Sequence, residues 1–416
     1  MEFIGQLGLP KIELEAMSYQ HSFQTRSFLV HTQFLNNTEF GKSILKRLSE
    51  DPRVIALDGQ MVSHGNGAGR FEIATLAVWF IWCANSYGEQ FANLELERWL
   101  NTDEVEVLNS LWVLGVEAEE SIELSDGYVI QTIADMPDSD EKEYFSKIDF
   151  NFLSRANLPK CAITKRQKIK KMWSDVPPAS PWLADEFRSS CKKLYELAFI
   201  LNSVSGVTCV PRFQTAYRPA TTPIGYFGGY GGGAPMFDVS TLALSKISAA
   251  LAPTIDEMFS HFQAKSESEK DRLQLILSRL SQAKRRFQIE DQMLDVGIAL
   301  EMILLDDNEK DQLSLQFRLR GSWLIGQSSQ DRLENWNLLQ EIYNARSSVA
   351  HTGMLYKNNP LKIQKIREAL PKYLNLAESI LRKIIVSGTP VWRDLVLGAP
   401  ADAILLIEGS GQGQPD

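Results

Sequence analysis

Apolar positions recur along this chain with a helical period in some stretches and a strand period in others. The spacing predicts helices over 38–48 and 71–87, the second apolar nearly all round and therefore buried. Helical periodicity continues over 93–114, although Val105 to Val116 carries enough β-branched residues to read equally as a strand. Between 121 and 134, two alternating apolar runs flank Ser125-Asp126-Gly127, the signature of a hairpin. Pro177, Pro178 and Pro181 mark a linker, and Ser180 before Pro181 suits the start of a helix running to about Asn202. From 240 onward one helix follows another, with candidates at 241–264, 268–287, 289–306, 310–326, 331–352 and 361–387. Short polar breaks such as Lys357-Asn-Asn-Pro360 separate them, which implies antiparallel neighbours in a bundle.

The expected class is mainly α, with an N-terminal α+β domain and a C-terminal antiparallel helical bundle. The pattern places the α+β domain at 1–175, a Pro-rich linker, helix and Gly-rich loop at 176–240, the bundle at 241–390, and an extension with a flexible tail at 391–416. The glycines between Tyr226 and Pro235 are too dense for a helix or central strand. That stretch is either a spacer or a mobile surface loop whose tyrosines stack on a ligand. Gly65-Asn-Gly67-Ala-Gly69-Arg70 resembles half of a phosphate loop but has no Gly-Lys-Ser/Thr ending, so a flexible loop is expected there.

Composition narrows the class further. With 416 residues, 44% apolar and 23% charged, the chain is neither disordered, collagen-like nor a disulfide-stapled miniprotein. A net charge of −9 excludes a surface coated for non-specific nucleic-acid binding. The charge is unevenly spread, however. Between Glu89 and Glu143 the only basic residues are Arg98 and Lys142, whereas Lys165–Lys171, Lys284-Arg285-Arg286 and Lys357–Lys383 are locally basic. Each basic cluster reads either as a solvated helix face or as a place to hold a polyanion. Cys83, Cys161, Cys191 and Cys209 are far apart and have no metal-ligand spacing. The chain opens without a signal-peptide pattern, and its longest uncharged apolar stretch, Ile73 to Cys83, is well short of the roughly 20 residues of a membrane span. The expected setting is cytoplasmic, with no membrane, no metal and no cofactor.

Two polar intrusions into apolar helix faces carry the candidate chemistry. Leu294, Ile298, Glu301 and Leu305 follow a 4-3-4 spacing, which sets a carboxylate on a core-facing stripe where it needs a partner or a wet cleft. Leu338, Ile342, Ala345 and Val349 form the stripe of a later helix that also carries Arg346 and His351. Five residues place those two about 140° apart around a helix, flanking one groove. Gly353 then supplies the helix stop.

Arg346, four intervening residues and His351, on the penultimate long helix of a C-terminal bundle, resemble the HEPN superfamily. The order Asp295-Val-Gly-Ile-Ala-Leu-Glu301, Phe317-Arg318-Leu-Arg320-Gly321 and Tyr343-Asn-Ala-Arg346-Ser-Ser-Val-Ala-His351-Thr-Gly353 is similar to its Apea-like branch over residues 240 to 390. The resemblance implies an all-α bundle that pairs as a homodimer, with the Arg/His motifs of two chains facing across one cleft. It implies a metal-independent endoribonuclease of a prokaryotic anti-phage or toxin-like system, acting on single-stranded or tRNA-like RNA. A phage-derived trigger or an operon partner belongs to the same implication. His351 would then move the proton and Arg346 hold the scissile phosphate. On chemistry alone, Glu301, or after it Asp295, suits orienting them from a neighbouring helix, while Arg318 and Arg320 read first as structural ion pairs and second as phosphate contacts. The family often has Asn, Asp or His after the motif arginine, where this chain has Ser347, a weaker orienting group. A resting state restrained by the N-terminal domain, through the acidic 89–143 segment, is also expected.

The residues suit that chemistry. RNA carries its own nucleophile, so a base for the 2′-OH and a fixed cation at phosphorus suffice; histidine titrates near neutrality and arginine offers a fork matched to phosphate oxygens. Two other readings stand beside it. In one, His351 only complements a helix dipole while Arg346 caps carbonyls or pairs with Glu301 in the core; in the other, the bundle is a non-catalytic module binding RNA, a nucleotide or a protein.

Overall fold

In the computed structural model, which describes residues 31–63, 68–137, 139–147, 158–175, 185–219, 221–223, 244–305, 311–356 and 359–398, a helix over 31–37 (α1) breaks at Thr38. Thr38 has extended backbone, and its hydroxyl accepts from the Gly41 N–H at 3.0 Å to start α2 (Glu39–Glu50). A Cβ at Gly41 would lie 2.6 Å from the Leu35 backbone, so this corner admits only glycine. Asp51 caps the short α3 (Pro52–Ile55), and β1 (Met61–Ser63) then pairs with β2 (Ala68–Arg70). Gly65, Asn66 and Gly67 of the expected loop lie outside the described residues, while Gly69 and Arg70 are strand. The apolar run at 71–87 is α4 (Ile73–Tyr87), with Trp79, Phe80, Ile81, Cys83 and Ala84 fully buried.

The helix expected over 93–114 divides. After α5 (Glu89–Leu100) the chain turns into an eleven-residue strand, β3 (Glu104–Leu114). Every residue of β3 from Val107 to Leu114 is buried, so both faces are covered and the alternation that marks a half-exposed strand is absent. β4 (Val116–Ala118) leads to the hairpin of β5 (Ile122–Glu123) and β6 (Tyr128–Thr132), with Asp126 and Gly127 both left-handed in its turn. After α6 (Asp140–Lys147), β7 (Cys161–Lys170) runs antiparallel to both β3 and β6, and β8 (Met172–Ser174) joins β1. The basic run 165–171 is therefore mostly strand, with Arg166, Lys168 and Lys170 exposed on one face. Trp173 packs edge-on against Phe71 and Trp99.

α7 (Asp185–Leu201) and β9 (Val210–Tyr217) follow, and the main sheet has the order β5-β6-β7-β3-β9. Trp112 fixes the last pairing, because its indole N–H lies 3.1 Å from both the Thr215 and Tyr217 hydroxyls. A short strand, β10 (Ser245–Ile247), pairs with β4. The chain divides into one unit of 1–196, 211–237 and 246–249, and another of 197–210, 238–245 and 250–416. The division thus falls elsewhere than at 175, because β9 returns to the sheet that β3 and β7 begin. The prolines at 177–181, the glycines at 226–235 and the tail from 409 lie outside the described residues.

The second unit is helical. α8 (Ala252–Gln263) begins later than the pattern at 241 suggests, behind β10 and a 3-10 turn. α9 (Glu267–Arg285), α10 (Ile289–Leu304), α11 (Leu313–Ile325), α12 (Ser329–Thr352) and α13 (Pro360–Ser387) match the expected helices closely, and α14 (Trp392–Leu397) closes the described chain. Capping boxes at Ser266/Glu269 and Ser328/Asp331 start α9 and α12. α10 is central, packing against α9, α11, α12 and α13. Its buried residues Met293, Val296, Leu300, Ile303 and Leu304 form the core together with Phe317, Leu339, Ile342, Tyr373 and Leu381.

A buried ion pair ties the segment after α7 to this bundle. Lys284 Nζ lies 2.7 Å from Glu378 Oε1 and 2.7 Å from each of the Asn202 and Val207 carbonyls. Asn202 closes the same turn, donating to the Cys209 carbonyl at 2.8 Å and accepting from the Cys209 N–H at 3.0 Å. The run Lys284-Arg285-Arg286 is accordingly no solvated face, since Lys284 and Arg285 are both buried. No helix among the described residues is long and apolar enough to cross a membrane.

Candidate active site

Gly297 decides how closely α10 and α12 approach. A Cβ built on it would lie 2.4 Å from Arg346 Cγ and 2.6 Å from Arg346 Cβ, so the arginine stem rests directly on the α10 backbone. From there the guanidinium reaches one turn along α10 to Glu301, with Nη2 and Oε2 2.6 Å apart. The pair is half-buried, with 28% of the Arg346 side chain and 18% of the Glu301 side chain exposed. Arg346 Nε is buried without a hydrogen-bond partner among the described residues.

The stripe containing Glu301 is a flank of the core. Leu294, Ile298, Glu301 and Leu305 are all partly exposed, while the buried stripe runs through Met293, Val296, Leu300 and Ile303. That placement is what allows a carboxylate there. Burial pushes the Glu301 carboxyl above the usual carboxylate range, and Arg346 opposes the shift without cancelling it. The sign follows from linkage. A raised native value means the fold holds this proton more tightly than the unfolded chain does. Its stabilising contribution is full below the ordinary carboxylate value and is lost as pH rises through the raised one.

Along α12, Ile342, Ala345 and Val349 are buried as the spacing predicts, with Leu339 rather than Leu338 at the head of the stripe. His351 sits exposed in the last turn, and among the described residues its imidazole makes no hydrogen bond or ion pair. Gly353, at φ 70°, ends the helix, its N–H donating to the Val349 carbonyl at 2.7 Å. Two hydroxyls not singled out from the sequence fix this end. Ser348 Oγ donates to the Met354 carbonyl at 2.9 Å and accepts from the Tyr356 N–H at 3.3 Å. Thr352 Oγ1 lies 2.8 Å from the Ser348 carbonyl. Ser347 is half-buried and makes no side-chain hydrogen bond among the described residues.

Three other candidate residues have partners outside the Arg346–Glu301 pair. Asp295 is drawn to the other side of α10 by Arg279 at 3.1 Å and Arg286 at 3.4 Å, and joins α9 to α10 instead of orienting Arg346. Arg320 is buried with Nη1 2.9 Å from the Leu304 carbonyl, capping the end of α10, a structural role, as the first of its two readings has it. Arg318 donates to the Ser314 carbonyl at 2.9 Å and lies 4.5 Å over the Trp336 ring, a packing role. What remains is a half-buried, carboxylate-held arginine and a free imidazole at the rim of the same helix. Among the described residues no group of three His, Cys, Asp or Glu side chains gathers to hold a metal.

Gly297 was legible only as part of a pattern. Four residues before Glu301 it shares that helix face, and a glycine there signals close approach by a neighbour. In an ordinary helix interior Gly→Ala stabilises by about 1 kcal/mol. Gly297→Ala is expected to reverse that sign, costing about 1–3 kcal/mol by denaturant unfolding, because the near end of the arginine stem has to be displaced. A stabilised variant would mean that Arg346 is not wedged as described.

No family model, curated protein sequence or solved structure matches this chain.

Proposed function

We propose that the helical unit is a metal-independent endoribonuclease of the HEPN type, with Arg346 and His351 as its active pair. The observation supporting this reading is the contrast between the two residues. Arg346 is anchored by Gly297 and Glu301, while His351, a turn and a half further on, is exposed and unengaged among the described residues. A fixed cation and an unengaged imidazole on one helix are the two groups that RNA cleavage by its own 2′-OH calls for.

In this reading the His351 imidazole takes the 2′-OH proton as O2′ attacks phosphorus. The bond from phosphorus to O5′ breaks, the 5′ oxygen leaves and takes up a proton from water, and Arg346 bears against the charge that builds on the phosphoryl oxygens. The products are a 2′,3′-cyclic phosphate and a 5′-hydroxyl, and DNA is spared for lack of the nucleophile. Ser347 is close enough in sequence to orient the phosphate but has only a hydroxyl to do it with. Pairing of two bundles as a homodimer would supply a second Arg/His set to the same cleft, and a role in anti-phage or toxin-like defence, with a trigger or partner acting through the first unit, completes the proposal by family analogy.

The second reading is a non-catalytic module that binds RNA, a nucleotide or a protein. The ion pair favours it, because Arg346 is already neutralised by Glu301. Incubating the full chain with RNA and matched DNA in EDTA, beside His351→Ala, separates the two. RNA-only cleavage with cyclic-phosphate ends that is lost in the variant supports the nuclease. RNA left intact by both proteins, in vitro and in cells overexpressing them, leaves the binding module.

A further inference from the structure

The ribonuclease-site reading leaves one charge unexplained. A carboxylate 2.6 Å from the arginine meant to hold a phosphate occupies the place the phosphate needs. Cations on the helices packed against α10 have other partners. On α9, Arg272 donates to the Met302 carbonyl and Arg279 to Asp295; on α11, Arg320 holds the Leu304 carbonyl; Lys284 pairs with Glu378 of α13. Arg346 is thus the ionic partner of Glu301, and the stem wedged on Gly297 fixes which way its guanidinium points.

Resting on that reading, we propose that Glu301 is a positioning residue exchanged for substrate. In the free protein it aims and neutralises Arg346, and an RNA phosphodiester displaces it to engage the same guanidinium. The planar fork makes the exchange favourable in geometry, since a phosphodiester presents two oxygens to it. The arginine stays on Gly297 while its anion changes. Glu301 then sets affinity by competition, so that weakly held anions fail to open the pair.

The test is binding of a short mixed-sequence 2′-O-methyl RNA, which cannot be cleaved, read by fluorescence anisotropy. Glu301→Gln keeps an oxygen for Arg346 to donate to and removes the competing charge. It is expected to tighten binding about tenfold, with a fall in KM rather than a rise in kcat on cleavable RNA. Glu334→Gln removes an equal charge from an exposed position on α12 and is expected to change affinity less than about twofold. Arg346→Ala is expected to abolish the gain when combined with Glu301→Gln. Three results overturn the exchange. If Arg346→Ala alone leaves binding unchanged, the site reading fails and the exchange with it. If Arg346→Ala loses binding but Glu301→Gln binds as wild type, the site stands and the exchange fails. An equal gain in Glu334→Gln assigns the effect to net charge.

Discussion

His351→Ala is expected to lower RNA cleavage by about 10²–10⁴-fold while leaving the fold as it is. Its cleanness comes from the structure. The imidazole is exposed and without a side-chain partner among the described residues, so its removal strips no hydrogen bond from the bundle. The helix end it stands on is held by Gly353, Ser348 and Thr352. Stability is therefore expected to stay within about 0.5 kcal/mol of wild type. Arg346→Ala is expected to reduce cleavage by a further factor of similar size, about 10²–10³-fold for a transition-state donor. It is the less clean variant, because it leaves Glu301 half-buried without its counter-ion. Pairing it with Glu301→Gln removes that penalty and isolates the catalytic loss. Cleavage that survives in His351→Ala with wild-type pH dependence would take the proton transfer away from this residue.

The helices of the second unit were readable because each has a polar face and polar ends. Ser266 and Ser328 start their helices as capping boxes, and Gly353 stops α12 by adopting a left-handed backbone. Periodicity could not decide at β3, where burial on both faces erased the two-residue period and left an apolar run that fits a helix or a strand equally well. The reading failed at Lys284-Arg285-Arg286, since a charge run looks the same in sequence whether water or Glu378 receives it. At the site, Arg346, His351 and Glu301 could be named from their spacing on two helices. What joins Arg346 to Glu301 rather than to Asp295 is rotation about α10. The two carboxylates are six residues apart and face different neighbours, Arg279 and Arg286 on one side and Arg346 on the other. Sequence periodicity gives the angle between them but not which neighbour lies at each angle.

Lys284→Ala is expected to be the most damaging single change in the helical unit, costing about 3–5 kcal/mol in denaturant unfolding. The ammonium and the Glu378 carboxylate are 5% and 1% exposed, and burial pushes the lysine down and the glutamate up from their ordinary values. The other charge, 2.7 Å away, is what chiefly offsets the burial of each, beside the Asn202 and Val207 carbonyls at the ammonium and Arg382 and the Gly206 N–H at the carboxylate. Removing one leaves the other buried without its ion-pair partner. For a unit of this size that loss corresponds to a fall of about 6–20 °C in melting temperature. The double change Lys284→Met with Glu378→Leu removes both charges and keeps the volume, and is expected to recover part of the loss. It cannot recover all of it. Lys284 also serves the Asn202 and Val207 carbonyls, and methionine offers them no donor, so about 1–3 kcal/mol of the loss should remain. Full recovery in the double variant would show that the lysine serves the carboxylate alone. A residual loss localised by hydrogen exchange to residues 202–209 would show that it holds the turn after α7 as well.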